Sequence, residues 1–409
     1  MGNEIHQYIS ENELAALMQP TDVAKGLSGP AYTDQGFWEL ERRDYFSSRW
    51  MACTHGSAIS EPGDVMPVSI GGFELIVSRD FDGVVHAFHN ICAHRGMRVV
   101  DSKQQGQKTV RCPWHAWTYD LEGRLIATPN LGGIHVGEVD AFNCAELGLR
   151  PVRCDTFLDL VFVNIDGQAP SLEAFLSPLT TRLSDYDLNL LRPSGQHTVA
   201  TFEGNWKLVI EGGVEDYHLP WIHPQLGSHS GTFTPEWDET GCYVGFTSRR
   251  PVKEEAIAGD PRAAGQDLTR FPHLDSIIPV GELGYEGGIF MVPPSGVVAV
   301  MADHVVLTVL VPLGVDRTEQ RRSFLYIGEG AVSDEMAANR EAVCQGWQTV
   351  GAQDLDLAKA LQHQHGLRDE VDIPTRFSPY WEPAVHHFQK MVVDHMLAKQ
   401  ASRSTARTA

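Results

Sequence analysis

The sequence predicts an α+β protein of two domains, a small β-rich module followed by a larger domain that mixes strands with helices. Three observations predict it. At 409 residues the chain is longer than one ordinary hydrophobic core organises. From Val65 onward its first half alternates apolar and polar residues between glycine-rich turn signals, the period of half-buried strands. Its second half sets long β-branched runs beside stretches of helical period.

Taken in chain order, Gly36 to Trp50 is amphipathic and reads as a helix. Val65 to Asn90 reads as strands broken at Gly71-Gly72 and at Asp82-Gly83, the second a hairpin signal. The β-rich text continues through Trp117 to Asp120 and the turn Glu122-Gly123 to the run Leu158 to Asn164. Asp166, Gly167 and Pro170 then read as a linker, which places a boundary near residue 168. Beyond it lie helical stretches around Lys207 to Tyr217, Ser333 to Lys359 and Pro383 to Lys399, and β-like runs at Val297 to Val311 and Arg321 to Ile327. The expected division is residues 1–44 as a helical segment packing with the larger domain, 45–168 as the β-rich module, 169–400 as the larger domain, and 401–409 as a polar, disordered tail.

Composition excludes several classes of function. A formal net charge of −21 repels nucleic-acid phosphate and suits a basic protein partner. No apolar run approaches the roughly 20 residues of a membrane span. The N-terminal text carries Glu4, Glu11 and Glu13 where an export signal wants a basic start and an apolar core, so cytoplasmic residence is expected. Seven scattered cysteines in such a chain argue against a disulfide framework.

The strongest local signal is Cys92-Ala93-His94, then 17 residues, then Cys112-Pro113-Trp114-His115. Each hook carries one thiol and one imidazole and follows strand-like text. Two thiolates on one iron and two imidazoles on the other is the ligand set of a Rieske [2Fe-2S] cluster, with a potential above that of an all-cysteine cluster. Cys92 with Cys112, and His94 with His115, are its candidate ligands, and Trp114, Trp117 and Tyr119 are candidate shields. The competing readings are unrelated core residues, a free-cysteine pair of no consequence, and, the serious one, structural zinc, whose hooks are usually homogeneous and more widely spaced. Cys53, Cys144, Cys154, Cys242 and Cys344 have no such spacing and read as ordinary buried thiols.

A second constellation follows Asn205-Trp206-Lys207: Glu215, then His218-Leu219-Pro220-Trp221-Ile222-His223. On an unbroken helix the five-residue spacing of the histidines turns them about 140° apart, so a break is required, and Pro220 is expected to supply it. Gln353-Asp354 on the late helix offers a carboxylate to complete a two-histidine, one-carboxylate set, which leaves positions open on ferrous iron. Glu215, three residues before His218, is expected on the same helical face, bonded to that imidazole. Core or surface histidines are the bland alternative, and a solvated charge is the alternative for Glu215. Trp221, Phe290, Met291 and residues from Val298 to Val311 are candidate walls of a pocket.

These residues resemble the Rieske non-haem iron oxygenase family, α subunit. The likeness spans Arg49-Trp50, Glu61-Pro62-Gly63, Asn90 to Gly96, Cys112 to Trp117, Asn205 to Lys207, Glu215 to His223 and Gln353-Asp354. It implies a Rieske domain followed by a helix-grip catalytic domain, with the cluster on Cys92, His94, Cys112 and His115 and one mononuclear Fe(II) on His218, His223 and Asp354. It further implies head-to-tail homotrimers in which Glu215 links His218 to His115 of the partner subunit. Glutamate rather than aspartate at the bridge, with Asp303 to Val306 and Pro312 to Thr318, is similar to the single-component subgroup that oxidises quaternary ammonium compounds, so no β subunit is expected. Glu211 departs from the family by being followed by Gly212-Gly213 instead of asparagine.

The implied activity is that of a terminal oxygenase. It uses dioxygen, and electrons from a flavin and iron-sulfur NAD(P)H reductase, to hydroxylate or demethylate a small quaternary ammonium, aromatic or carboxylate compound. Ring dihydroxylation of an aromatic is the alternative within the class. A Rieske electron carrier and a colourless zinc-stapled interaction module are the alternatives outside it.

Overall fold

The computed structural model describes every residue except 1–3, 141, 185, 227–231, 251–284, 302–303, 372 and 409. The chain separates into two compact units, Ser47–Leu172 and Met1–Phe46 with Glu173–Ala409.

The smaller unit is built from nine strands. They are β1 (Met51–His55), β2 (Val65–Ile70), β3 (Phe73–Arg79), β4 (Val85–His89), β5 (Thr109–Arg111), β6 (Thr118–Asp120), β7 (Leu125–Ala127), β8 (Pro151–Phe157) and β9 (Leu160–Asn164). Six of them form an antiparallel sheet in the order β1-β9-β8-β4-β3-β2, and β5-β6-β7 form a small second sheet. The expected breaks are the observed turns: Gly71 and Gly72 both take positive φ (55° and 78°) between β2 and β3, the two-residue hairpin that β-carbons disfavour. The core of the second sheet, with Val110, Tyr119 and Leu125, includes Cys92, Cys112 and Trp117.

The larger unit contains β10 (Leu191–Phe202), β11 (Thr232–Trp237), β12 (Val244–Arg250), β13 (Tyr285–Val292), β14 (Gly296–Val300), β15 (His304–Gly314) and β16 (Arg317–Ile327). They form one antiparallel sheet in the order β10-β16-β15-β14-β13-β12-β11. Its helices are α1 (Glu11–Leu17), α2 (Pro30–Thr33), α3 (Gln35–Glu41), α4 (Leu172–Arg182, starting at the boundary), α5 (Trp206–Gly213), α6 (Leu219–Ile222), α7 (Gly328–Ala331), α8 (Ala337–Arg368) and α9 (Pro383–Thr408). Val343 and Cys344 of α8 pack on Val306, Phe324 and Tyr326, so the long helix lies on the face of the sheet that also carries the site.

Several expectations are corrected. The run Val297 to Val311 is not one strand: β14 and β15 are separate and pair with each other, Met301 N donating to His304 O at 2.9 Å; Asp303 lies outside the described residues. The helix after Asn205 stops at Gly213, before Tyr217, because glycine is a poor helix former. The tail from Ala401 is helical to Thr408 rather than disordered. Its anchor is buried Asp44, which accepts from Gln400 Nε2 at 3.1 Å and from Arg403 Nη2 at 2.7 Å. Burial opposes ionisation there, but Arg43 first, then Arg403 and Gln400, hold its carboxyl below the usual range. Cys144 and Cys154 are half-buried, whereas Cys53, Cys242 and Cys344 are buried as expected.

Candidate metal centres

In the smaller unit each hook follows a strand and closes in the same way. Cys92 N donates to Met97 O and Gly96 N to Cys92 O; Cys112 N donates to Trp117 O and Ala116 N to Cys112 O. The fourth residue after each cysteine is left-handed, Gly96 at φ 76° and Ala116 at φ 56°. For alanine that conformation costs free energy and persists only where the surroundings impose it. Asn90, 2% exposed, clamps the first hook by donating to Val100 O (2.7 Å) and accepting from Val99 N and Val100 N.

The four candidate ligands are brought together. The His94 and His115 rings lie 4.6 Å apart, and the Cys92 and Cys112 thiols are within hydrogen-bonding range. Burial pushes the Cys112 thiol up despite the amide of Trp114, and contact with Cys92 adds to it, a situation that a bound cation reverses. His115 Nδ1 is a buried nitrogen without a hydrogen-bond partner, as a ligand atom should be. The donor set and the orphaned nitrogen therefore fit a [2Fe-2S] cluster. Trp117 stacks on His94 at 4.7 Å, and the Tyr119 hydroxyl lies 3.2 Å from Cys92 Sγ, so two of the three expected shields cover the site. Trp114 does not: it is 51% exposed, held between Arg95 (4.4 Å) and the His115 ring.

In the larger unit His218, His223 and Asp354 converge, each offering a ligand atom within 4.8 Å of the others. His223 Nε2 lies 3.0 Å and His218 Nε2 4.0 Å from Asp354 Oδ1. The ring nitrogens turned away are both held. His218 Nδ1 bonds the Glu215 carboxylate, and His223 Nδ1 donates to Gln353 Oε1 at 2.8 Å. That arrangement aims both Nε2 atoms at one point and fits a divalent transition metal. Burial disfavours the His218 imidazolium, but the Glu215 carboxylate outweighs it and raises the group above its ordinary value.

The local architecture differs from the expected one in two respects. Pro220 does not break a helix; it sits in the first turn of α6, where its missing N–H is no loss, and His218 and His223 cap the two ends of that single turn. Glu215 reaches His218 through a turn instead of along a helix, accepting also from the backbone N–H groups of Tyr217 and His218 (3.2 Å for the latter).

The three residues face a cavity of about 340 Å³ lined by α5, α8 and the sheet. Of the expected walls, Met291, Ala299, Met301, His304 and Thr308 line it, as does the adjacent Val297; Phe290 is buried in the core behind it and Trp221 is 78% exposed at the surface. Gln353, Asn90 and Arg322 were legible only as motif neighbours or strand residues. The signal for Gln353 was its place immediately before the carboxylate.

An iron-sulfur module and an antiparallel catalytic domain in one chain define a Rieske-type oxygenase, an oxidoreductase. Residues 49–142 match the Rieske [2Fe-2S] domain and residues 188–398 the ring hydroxylating alpha subunit (catalytic domain), and the chain belongs to that α-subunit family of terminal oxygenases. It is 26% identical over 410 residues to the glycine betaine monooxygenase oxygenase subunit of Pseudomonas aeruginosa, covering 94% of this chain and 92% of the relative. It is 24% identical to the carnitine monooxygenase oxygenase subunit of Acinetobacter pittii, covering 91% and 95%. Among solved structures, naphthalene 1,2-dioxygenase from Rhodococcus sp. matches with a TM-score of 0.75 at 20% identity over 97% of this chain and 99% of that one, a likeness of fold. Among the described residues no helix is long and apolar enough to cross a membrane.

Proposed function

We propose that this chain is the oxygenase component that hydroxylates or demethylates a small quaternary ammonium, aromatic or carboxylate compound. In this reading Cys92, Cys112, His94 and His115 hold the cluster, and His218, His223 and Asp354 hold one mononuclear Fe(II). The observation that carries it is the convergence of those three donor atoms with both remaining imidazole nitrogens already occupied. When bound, the cluster supplies single electrons and the iron supplies the oxidising chemistry with dioxygen.

The chain's own residues then have separable tasks. Glu215 and Gln353 fix the tautomer and direction of the two imidazoles. The mostly apolar cavity beside them excludes water and orders the substrate. We assign Glu215, already bonded to His218, the bridge from His218 to His115 of the partner subunit in a head-to-tail homotrimer without a β subunit. A flavin and iron-sulfur NAD(P)H reductase supplies the electrons, and the strongly acidic chain suits a basic docking face on it. Cytoplasmic residence goes with that supply of NAD(P)H. Quaternary ammonium substrates are supported by the two oxygenase relatives above.

Metal quantitation with reductase-coupled oxygen uptake tests the reading. Wild type should contain about three irons per chain, against about two for a Rieske electron carrier. His223→Ala should lose about one iron, keep the visible cluster spectrum and stop product formation. Equal iron in the two proteins would overturn the assignment.

A further inference from the structure

We infer that Arg322 is the anchor for a carboxylate group on the substrate, so that the compound oxidised here is a small organic acid or zwitterion. The inference rests on the oxygenase reading above, because it places the substrate in the cavity beside His218, His223 and Asp354.

Arg322 lies on β16 with its side chain on the cavity wall, yet it is only 7% exposed. No carboxylate pairs with it among the described residues. Its contacts are a long hydrogen bond from Nη1 to Trp347 O (3.4 Å) and the face of the Trp347 indole (5.7 Å). The remaining guanidinium donors have no acceptor among the described residues and are not fully enclosed, so they open on the cavity, where a largely desolvated cation favours an anionic partner. Burial pushes the group down to about 10, still charged at neutral pH, with Asp354 acting in the opposite sense.

Its neighbours extend the polar patch. Gln320, two residues earlier on the same strand face, lines the cavity with a buried Oε1 that has no partner. Thr308, directly opposite Arg322 in the β15–β16 register, lines it as well. A planar, forked cation among neutral polar groups is suited to a bidentate carboxylate.

Position relative to the metal site limits the size of the ligand. Both terminal nitrogens lie about where a side chain on Gly351 would start, 2.9 and 3.0 Å from a β-carbon built there. Asp354 is three residues further along α8, about 4.5 Å up the helix axis. A carboxylate on Arg322 thus lies within about one helical turn of Asp354 along α8, which suits a small compound. A side chain at 351 would press on the guanidinium, so glycine there leaves it its place beside α8.

The test is calorimetric titration of resting, iron-loaded holoenzyme with two matched pairs, benzoate against benzamide and glycine betaine against its amide. In at least one pair the carboxylate should bind roughly 10- to 100-fold tighter, the factor of a charge-assisted bidentate contact. Arg322→Met should erase that preference while leaving amide binding, iron content and the visible spectrum unchanged. Absence of any preference in the wild type, or a preference that survives in Arg322→Met, overturns the proposal. A second measurement needs no ligand: if Arg322 serves an absent anion, ligand-free Arg322→Met melts at or above the wild-type temperature. A clear fall would show a structural role and overturn the proposal. Failure of the oxygenase reading is distinguished separately, as absence of reductase-coupled oxygen uptake in the wild type, which the titration does not use.

Discussion

Lys207 and Glu41 form a buried ion pair whose two single deletions should respond to pH in opposite directions. Lys207 Nζ lies 2.6 Å from Glu41 Oε1, both side chains are 0% exposed, and the ammonium is ringed by Tyr32, Phe37 and Trp206 at 5.2 to 5.4 Å. In Lys207→Met, Glu41 keeps only Trp206 Nε1 (3.1 Å) and burial forces it to take a proton. Relative to an ordinary value of 4.5, that costs about 1.4 kcal/mol per pH unit, hence roughly 3 kcal/mol at pH 7 and almost nothing near pH 4.5. The sign follows because a carboxyl whose folded pKa is raised loses stability as pH rises above its unfolded value. In Glu41→Gln the stranded amine must lose its proton against an ordinary value of 10.5, which costs roughly 5 kcal/mol at pH 7 and is relieved as pH rises. Urea denaturation of both variants and of the double variant, each referred to wild type at about pH 5.5, 7 and 8.5, checks this. Parallel pH profiles, or losses under about 1 kcal/mol in both singles at pH 7, would refute the picture of a dry, fully coupled pair.

Three further outcomes are expected. Glu211, its carboxylate held between Tyr32 Oη (2.7 Å) and Gln389 Nε2 (2.9 Å), is pushed up by burial to about 7. The folded state therefore binds the extra proton, and wild type should lose up to about 3 kcal/mol between pH 4.5 and 7, a slope that Glu211→Gln flattens in the same denaturation assay. Gly212→Ala should raise the melting temperature by the equivalent of up to about 1 kcal/mol, since a β-carbon there meets nothing within 4 Å; a destabilised variant would show that the glycine is conformationally required. Glu215→Gln should keep cluster and iron content but slow coupled product formation roughly 10- to 100-fold, and unchanged turnover would sink the bridging role.

The cluster hooks were legible in the sequence because their chemistry is local. Each pairs a cysteine and a histidine within four residues, and the closing turn needs only one left-handed position, Gly96 or Ala116. The second centre was legible in part. His218 and His223 share one segment, but Asp354 is remote and could be offered only as a carboxylate on the late helix, and Gln353 gained a role only once its amide was seen on His223. What the sequence could not express is long-range burial. Nothing in the text around Arg322 distinguishes it from Arg321, which is partly exposed and paired with Glu319 at 2.6 Å. Only the sheet's alternation and the packing of α8 turn one arginine inward. The pair of Glu41 with Lys207 spans 166 residues and is invisible for the same reason. So is the hold of Asp44 on the C-terminal helix.

The departure at Gly212-Gly213 now has a physical account that links anchoring to chemistry. Helix α5 is fixed at its start, where the Asn205 side chain caps Lys207 N at 3.0 Å and donates to Val315 O at 2.7 Å, and the buried pair holds its first turn. Its end is loosened by two glycines, so the helix stops at Gly213 and Glu215 falls in a turn. Had the helix continued, the Tyr217 and His218 amides would have bonded Gly213 and Val214 carbonyls, and Glu215 could not have accepted from them. Gly213 also leaves space that Met291 Cε occupies, since a β-carbon there would lie 2.1 Å from it, whereas Gly212 faces open cavity. The two residues therefore release the carboxylate that orients His218, Gly212 leaving open space beside it and Gly213 admitting Met291, while the rigid start of the helix keeps these effects in place.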